Sequence, residues 1–107
     1  MNTGTGFLHM VFFWLRDGGG KEDADKLAAG ARRHLTAIPG VRRLIAGFPA
    51  GTPRDVVDNS YGVSLLVEFA SAADHDIYQD HPDHHRFIEE CGPLWTRVQV
   101  YDSLCER

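Results

Sequence analysis

The sequence predicts an α+β fold in which helices lie on a four-stranded antiparallel sheet. Three observations predict it. Strand and helix periodicities follow one another in the order β-α-β-β-α-β. The first strand is apolar on both faces, so both must be covered. The helical stretches are apolar along one stripe only, as helices lying on a sheet are.

His9 to Leu15 reads as the first strand, rich in Val and aromatic residues. Alternation puts His9, Val11, Phe13 and Leu15 on one face and Met10, Phe12 and Trp14 on the other. Residues 1–6 before it are polar and Gly-rich and read as a frayed start. After the Gly18-Gly19-Gly20 turn, Lys21 to Ile38 reads as a helix, with Ala24, Leu27, Ala28, Ala31, Leu35 and Ile38 as its apolar stripe. Glu22, Asp23 and Asp25 near its start and Arg32, Arg33 and His34 near its end suit the helix dipole, which makes His34 a solvated helix-end residue. Pro39-Gly40 stops it.

Val41 to Phe48 is the second strand, and the Pro- and Gly-containing stretch to Asn59 is the longest loop. Tyr61 to Phe69 is the third strand, with Tyr61, Val63, Leu65, Val67 and Phe69 on an apolar face. Ser71 caps a short helix to about Gln79, which is expected to bury Ala73 with Ile77 or Tyr78. Pro82 starts a further helix to Cys91, because its missing N–H costs nothing at the first helical position. Gly92-Pro93 ends that helix. Trp95 to Leu104 is the last strand, with Val98 and Val100 on one face and Trp95, Arg97, Gln99 and Tyr101 on the other. This is the ferredoxin-like order. In a monomer the face of Met10, Phe12 and Trp14 would stay open as an apolar patch, so a homodimer through that face is expected.

The 107 residues read as one domain over 1–107, with its core at about 9–104. A net charge of -4 without a clustered basic surface argues against nucleic acid as a partner. The apolar run Phe7 to Leu15 is too short to span a bilayer and has no basic residue before it, so neither membrane nor leader is expected and the location reads as cytoplasmic. Cys91 and Cys105 form no CxxC; Cys91 reads as a small core residue.

The chemistry concentrates in Tyr78-Gln79-Asp80-His81-Pro82-Asp83-His84-His85-Arg86-Phe87. His84, Phe87, Ile88 and Cys91 share one helix face that is otherwise apolar, so His84 should point inward while Asp83 and His85 face water. An imidazole aimed into apolar space is a satisfied core residue, a pocket wall or an acid–base group. His81 and His84, with Asp80 and Asp83, flank a helix start without converging as a zinc set does, so no metal is expected. Gly18-Gly19-Gly20 lacks the Lys-Ser/Thr of a P-loop, and no cofactor is expected.

The strand His9-Met-Val-Phe-Phe-Trp-Leu, the Ile38-Pro39-Gly40-Val41 junction, the Tyr78-x-x-His81-Pro82-x-His84 element with Phe87, and the Trp95 to Asp102 strand resemble the stress-responsive A/B barrel (Dabb) family. The resemblance implies a dimeric α+β barrel of ferredoxin-like subunits. It also implies acid–base residues at His84 and Tyr78, as in a family branch that cyclises polyketides by aldol chemistry without metal or cofactor. His9 matches a pocket His of that branch, whereas Val63 stands where the branch has another, which makes this pocket less polar. The pocket is thus expected to be lined by His9, Val11, Phe13, Val63, Leu65, His81, Phe87 and Ile88, and to take an apolar small molecule such as a carbonyl compound. Two other readings stay open here: a non-enzymatic stress-response or structural dimer, and a cofactor-free oxygenase of a related barrel family.

Overall fold

The computed structural model describes residues 6–105, so the N-terminal expectation falls almost wholly outside the described residues. The elements are β1 (Phe7–Leu15), α1 (Lys21–Leu35), β2 (Val41–Gly47), β3 (Val63–Phe69), α2 (Ala72–Asp80), α3 (Pro82–Cys91), a 3-10 turn (Gly92–Leu94) and β4 (Trp95–Leu104). The four strands form one antiparallel sheet in the order β2-β3-β1-β4. This is the predicted ferredoxin-like α+β fold, with the helical segment between β3 and β4 divided at His81.

Alternation in β1 is kept: Phe7, His9, Val11 and Phe13 are buried, while Leu8, Met10, Phe12 and Trp14 are half-buried on the opposite face. In β3, Val63, Leu65, Val67 and Phe69 are buried. The α1 stripe packs onto them: Leu27, Ala31 and Leu35 are fully buried, and Ile38, just past the helix end, joins the same core. Gly40 takes φ 95°, a left-handed value that favours glycine, and turns the chain into β2.

Several elements differ from the sequence reading for local reasons. The helix α1 ends at Leu35 rather than Ile38, because Ile38 N–H turns back to Leu35 carbonyl at 3.2 Å. The third strand begins at Val63, where pairing with Phe13 starts. Asp23 is more than a dipole partner: it is 6% exposed and takes two hydrogen bonds from Arg16, at 2.8 and 3.2 Å. His34 is tied to Glu90 of α3 at 2.9 Å, so it is a bridge between helices and not a solvated end. In α2, Tyr78 is buried at 2% exposure, whereas Ala73 and Ile77 are exposed.

The last strand carries the most consequential difference. Its register against β1 shifts between Trp14 and Leu15, which pair with Arg97 and Trp95 and leave Thr96 as an extra residue. A bulge inverts alternation on one side of itself. Trp95 therefore turns to the face of Val98 and Val100 and packs on Phe13 and Phe87, at ring-centroid distances of 4.8 and 5.7 Å. Among the described residues, no helix is long and apolar enough to cross a membrane.

Candidate functional site

The helices cover the sheet unevenly. α1 packs on β2 and β3, α2 on β1, β2 and β3, and α3 on α1, and none of them packs extensively on β4. A sheet face without a helix over it either meets water or forms a recess. Here it forms a cavity of about 200 Å³ between α3 and the β1–β4 edge.

His9, Val11 and Phe13 of β1 and Leu65 of β3 form its floor. Tyr78, Gln79, His84, Phe87 and Ile88 come from the helical layer, and Trp95, Val98 and Val100 from β4. Ile88 is 44% exposed and Val98 and Val100 are 39% exposed each, so the cavity opens to solvent along that side. Of the residues expected at the pocket, Val63 and His81 are absent from the wall. Val63 is fully buried, under the helices and away from the recess. His81 is occupied in joining the helices. Its N–H donates to Tyr78 carbonyl at 3.2 Å, ending α2, and its Nδ1 accepts from Asp83 N–H at 3.0 Å, starting α3.

That junction explains how Tyr78 and His84, six positions apart in sequence, meet. His81 adopts an extended conformation, with ψ 141°, and Pro82 opens the next helix. The chain bends, and the two rings come to 4.9 Å between centroids at 66°. Nδ1 of His84 is buried without a hydrogen-bond partner, the only such side-chain nitrogen or oxygen among the described residues. Because His84 borders the cavity while its Nδ1 is closed off, Nε2 is the nitrogen available to a ligand.

Burial lowers the His84 pKa to about 4, helped by neighbouring His85, His9 and His75, so its imidazole is neutral at pH 7. Burial also pushes the Tyr78 phenol well up, which keeps its proton in place. The pair presents a neutral nitrogen base and an O–H donor to an apolar recess.

Sequence reasoning missed a second cluster beside this one. Nδ1–H of His9 donates to a carboxylate oxygen of Asp102 at 2.6 Å, since β1 and β4 pair His9 directly with Asp102. His75 of α2 lies 4.6 Å from His9 between ring centroids and stacks on Phe7 at 4.5 Å. Burial and then the nearby His9 lower the His75 pKa. Only spacing hinted at it: His75 stands one helical turn before Tyr78 and so on the same side of α2. The missed Trp95 depends on the β4 bulge, which no residue type announces, while Val98 and Val100 reach the wall through their regular pairing opposite Phe13 and Val11; Gln79 belongs to the same wall.

The family profile described as "Stress responsive A/B Barrel Domain", Dabb, matches residues 7–105. No curated protein matches the chain. Among solved structures, a Dabb family protein with a ferredoxin-like fold from Mesorhizobium loti is 25% identical, with 92% of this chain and 95% of that chain covered and a TM-score of 0.75. A dimeric ferredoxin-like protein of unknown function from Thermobifida fusca is 18% identical over 97% of this chain and 94% of that one, at TM-score 0.78. A hydroxynitrile lyase from Passiflora edulis is 16% identical over 97% and 96%, at TM-score 0.81. At those last two identities the likeness is one of fold.

Proposed function

This chain belongs to the stress-responsive A/B barrel family, and from that premise we propose that it binds an apolar carbonyl compound and moves a proton on it without a cofactor. The observation that carries the reading is the stranded imidazole of His84 on the wall of a cavity whose other groups are mostly apolar. A buried polar atom without a partner costs about 1–3 kcal/mol, a cost that folding alone does not call for. The cavity of about 200 Å³ has room for a ring with a short substituent, given that an engineered cavity of about 150 Å³ holds benzene.

In the reading, Tyr78 O–H donates to the ligand's carbonyl oxygen and Nε2 of His84 takes a proton from the adjacent carbon. The C–H electron pair moves into the enolate, whose oxygen Tyr78 stabilises, and imidazolium forms beside it. An imidazole with a low pKa is a weak base, but the enolate next to it favours the protonated form at the moment of transfer. The proton then returns to carbon, or, if the enolate carbon attacks a second carbonyl, to the new alkoxide. The Passiflora protein named as a hydroxynitrile lyase indicates that this fold can host chemistry at a carbon bearing oxygen.

The homodimer expected for this chain belongs to the same proposal. Met10, Phe12 and Trp14 on the helix-free face, with Ile45 and Tyr101 at 45% and 57% exposure, supply the apolar surface for it, and the Thermobifida neighbour is described as dimeric.

The test uses a 1,3-diketone in deuterated buffer, with exchange at its central carbon followed by NMR. Wild-type protein should accelerate exchange over buffer, and His84→Phe should remove most of that, on the order of 100-fold. Exchange no faster than in buffer, together with no displacement of a fluorescent apolar probe from the cavity, refutes the reading.

A further inference from the structure

We infer that His9, His75 and Asp102 form a binding site for one divalent transition-metal ion of the zinc or cobalt class. A nitrogen from each imidazole and a carboxylate oxygen all lie within 4.8 Å of one another. Ligand bonds of about 2.0–2.2 Å place two ligands of one ion roughly 3–4 Å apart, so the set closes on an ion by small side-chain shifts. The donors are two nitrogens and one oxygen, the mixture that borderline divalent ions take and that calcium or magnesium does not.

The three residues come from three different elements, β1, α2 and β4, and two of them are already fixed in direction. His9 is 6% exposed and held by Asp102 at 2.6 Å. His75 is sandwiched by contacts with Phe7, at 4.5 Å and 21° between ring planes, and with Phe69, at 5.5 Å. The Gln79 amide N–H donates to Nε2 of His75 at 3.3 Å, one helical turn on, so an ion taken at that nitrogen displaces this bond. Asp102 is exposed, which gives an ion a way in and supplies one negative charge against its two positive ones. Three protein ligands leave at least one position for water or a ligand.

His9 also forms part of the cavity floor, but neither His84 nor Tyr78 takes part, and His75 and Asp102 do not line the cavity, so variants of those two test the ion site apart from the proposed proton transfer. The site differs also from the set weighed in the sequence, where His81 is occupied as a helix cap.

The test is a titration of chelator-treated protein with cobalt(II) alone, read by the visible d–d absorption and by thermal unfolding. Wild type should bind one cobalt per chain, with its Tm raised, and zinc should displace the colour. His75→Phe, which keeps a ring against Phe7, should weaken binding by on the order of 100-fold. His34→Gln, which breaks the other imidazole–carboxylate contact, should bind as wild type does. Asp102→Asn, at an exposed position, gives a second loss-of-ligand variant if His75→Phe does not fold. Equal binding in wild type and in the folded ligand variants, or no band and no Tm rise at millimolar cobalt, overturns the inference. Loss of cobalt binding with diketone exchange intact would separate it from the proposed proton transfer.

Discussion

Replacing His84 with Phe should stabilise the protein at neutral pH and remove much of its acid sensitivity. Folding lowers the His84 pKa from 6.5 to about 4, chiefly by burial. Between those values the unfolded chain binds the proton and the folded chain does not. The stability tied to this group is therefore fully present above the unfolded pKa and is lost as pH falls toward the folded one. At about 1.4 kcal/mol per unit the whole shift sets a ceiling of about 3 kcal/mol. Between pH 7 and 5 the share is about 2 kcal/mol at most. At pH 7.5, removing a buried nitrogen that has no partner should gain about 1 kcal/mol, or a Tm higher by about 4–8 °C. The cavity gives the larger ring space. Urea unfolding of both proteins at pH 7.5 and 5.0, at one protein concentration, measures both effects. A variant that is less stable at pH 7.5, or that loses as much stability as wild type on going to pH 5.0, refutes the argument, because His84 would then have a partner that keeps it satisfied.

Tyr78→Phe keeps the buried ring, so stability should change by less than about 1 kcal/mol, while diketone exchange falls with binding retained. Wild-type exchange should be level from neutral pH down to about pH 5 and drop as pH approaches the His84 pKa of about 4, which a pH-rate profile reads. Gly30→Ala should cost about 1–3 kcal/mol, since the added methyl would overlap Sγ of Cys91 between α1 and α3, and Cys91→Ala should restore most of it in a denaturation cycle. Phe12→Asp puts a charge on the helix-free sheet face; light scattering at micromolar concentration should then read a monomer where wild type reads a dimer.

Elements with strong periodicity were legible in the sequence. The two-sided β1 strand, the α1 stripe and the Pro82 start of α3 each depend on neighbours within a few residues, and all three form as the pattern has them, with β1 starting earlier, at Phe7, and α1 ending earlier, at Leu35. So does the meeting of an inward His84 with an apolar helix face, marked by Phe87 and Cys91 at 3% and 2% exposure. What failed depends on pairing between distant segments. Asp102 faces His9 only through the β1–β4 register, 93 positions away. Trp95 reaches the cavity only because Thr96 is the extra residue of a bulge. Val63 is expected in the wall because it stands where the family branch has a pocket His, but which part of that strand face the helices cover is decided by packing. Of the two alternatives Ile77 and Tyr78 the structure buries Tyr78, but Ala73, expected beside it, is exposed, because a nine-residue helix has too few apolar positions to fix its own rotation.

The strand that lacks a helical cover has a consequence for how such a protein changes over generations. Val98 and Val100 shape the cavity yet keep more than a third of their surface in water, whereas Phe13 and Leu65 across from them are 3% and 2% exposed. Exchanges at Val98 and Val100 disturb little packing and fall within the mild range of surface substitutions, while exchanges at Phe13 or Leu65 open voids in the core. Residues that choose a ligand are thus separated from residues that hold the scaffold. Selection for a new ligand can explore Val98 and Val100 at little cost to stability, leaving the His84–Tyr78 pair untouched.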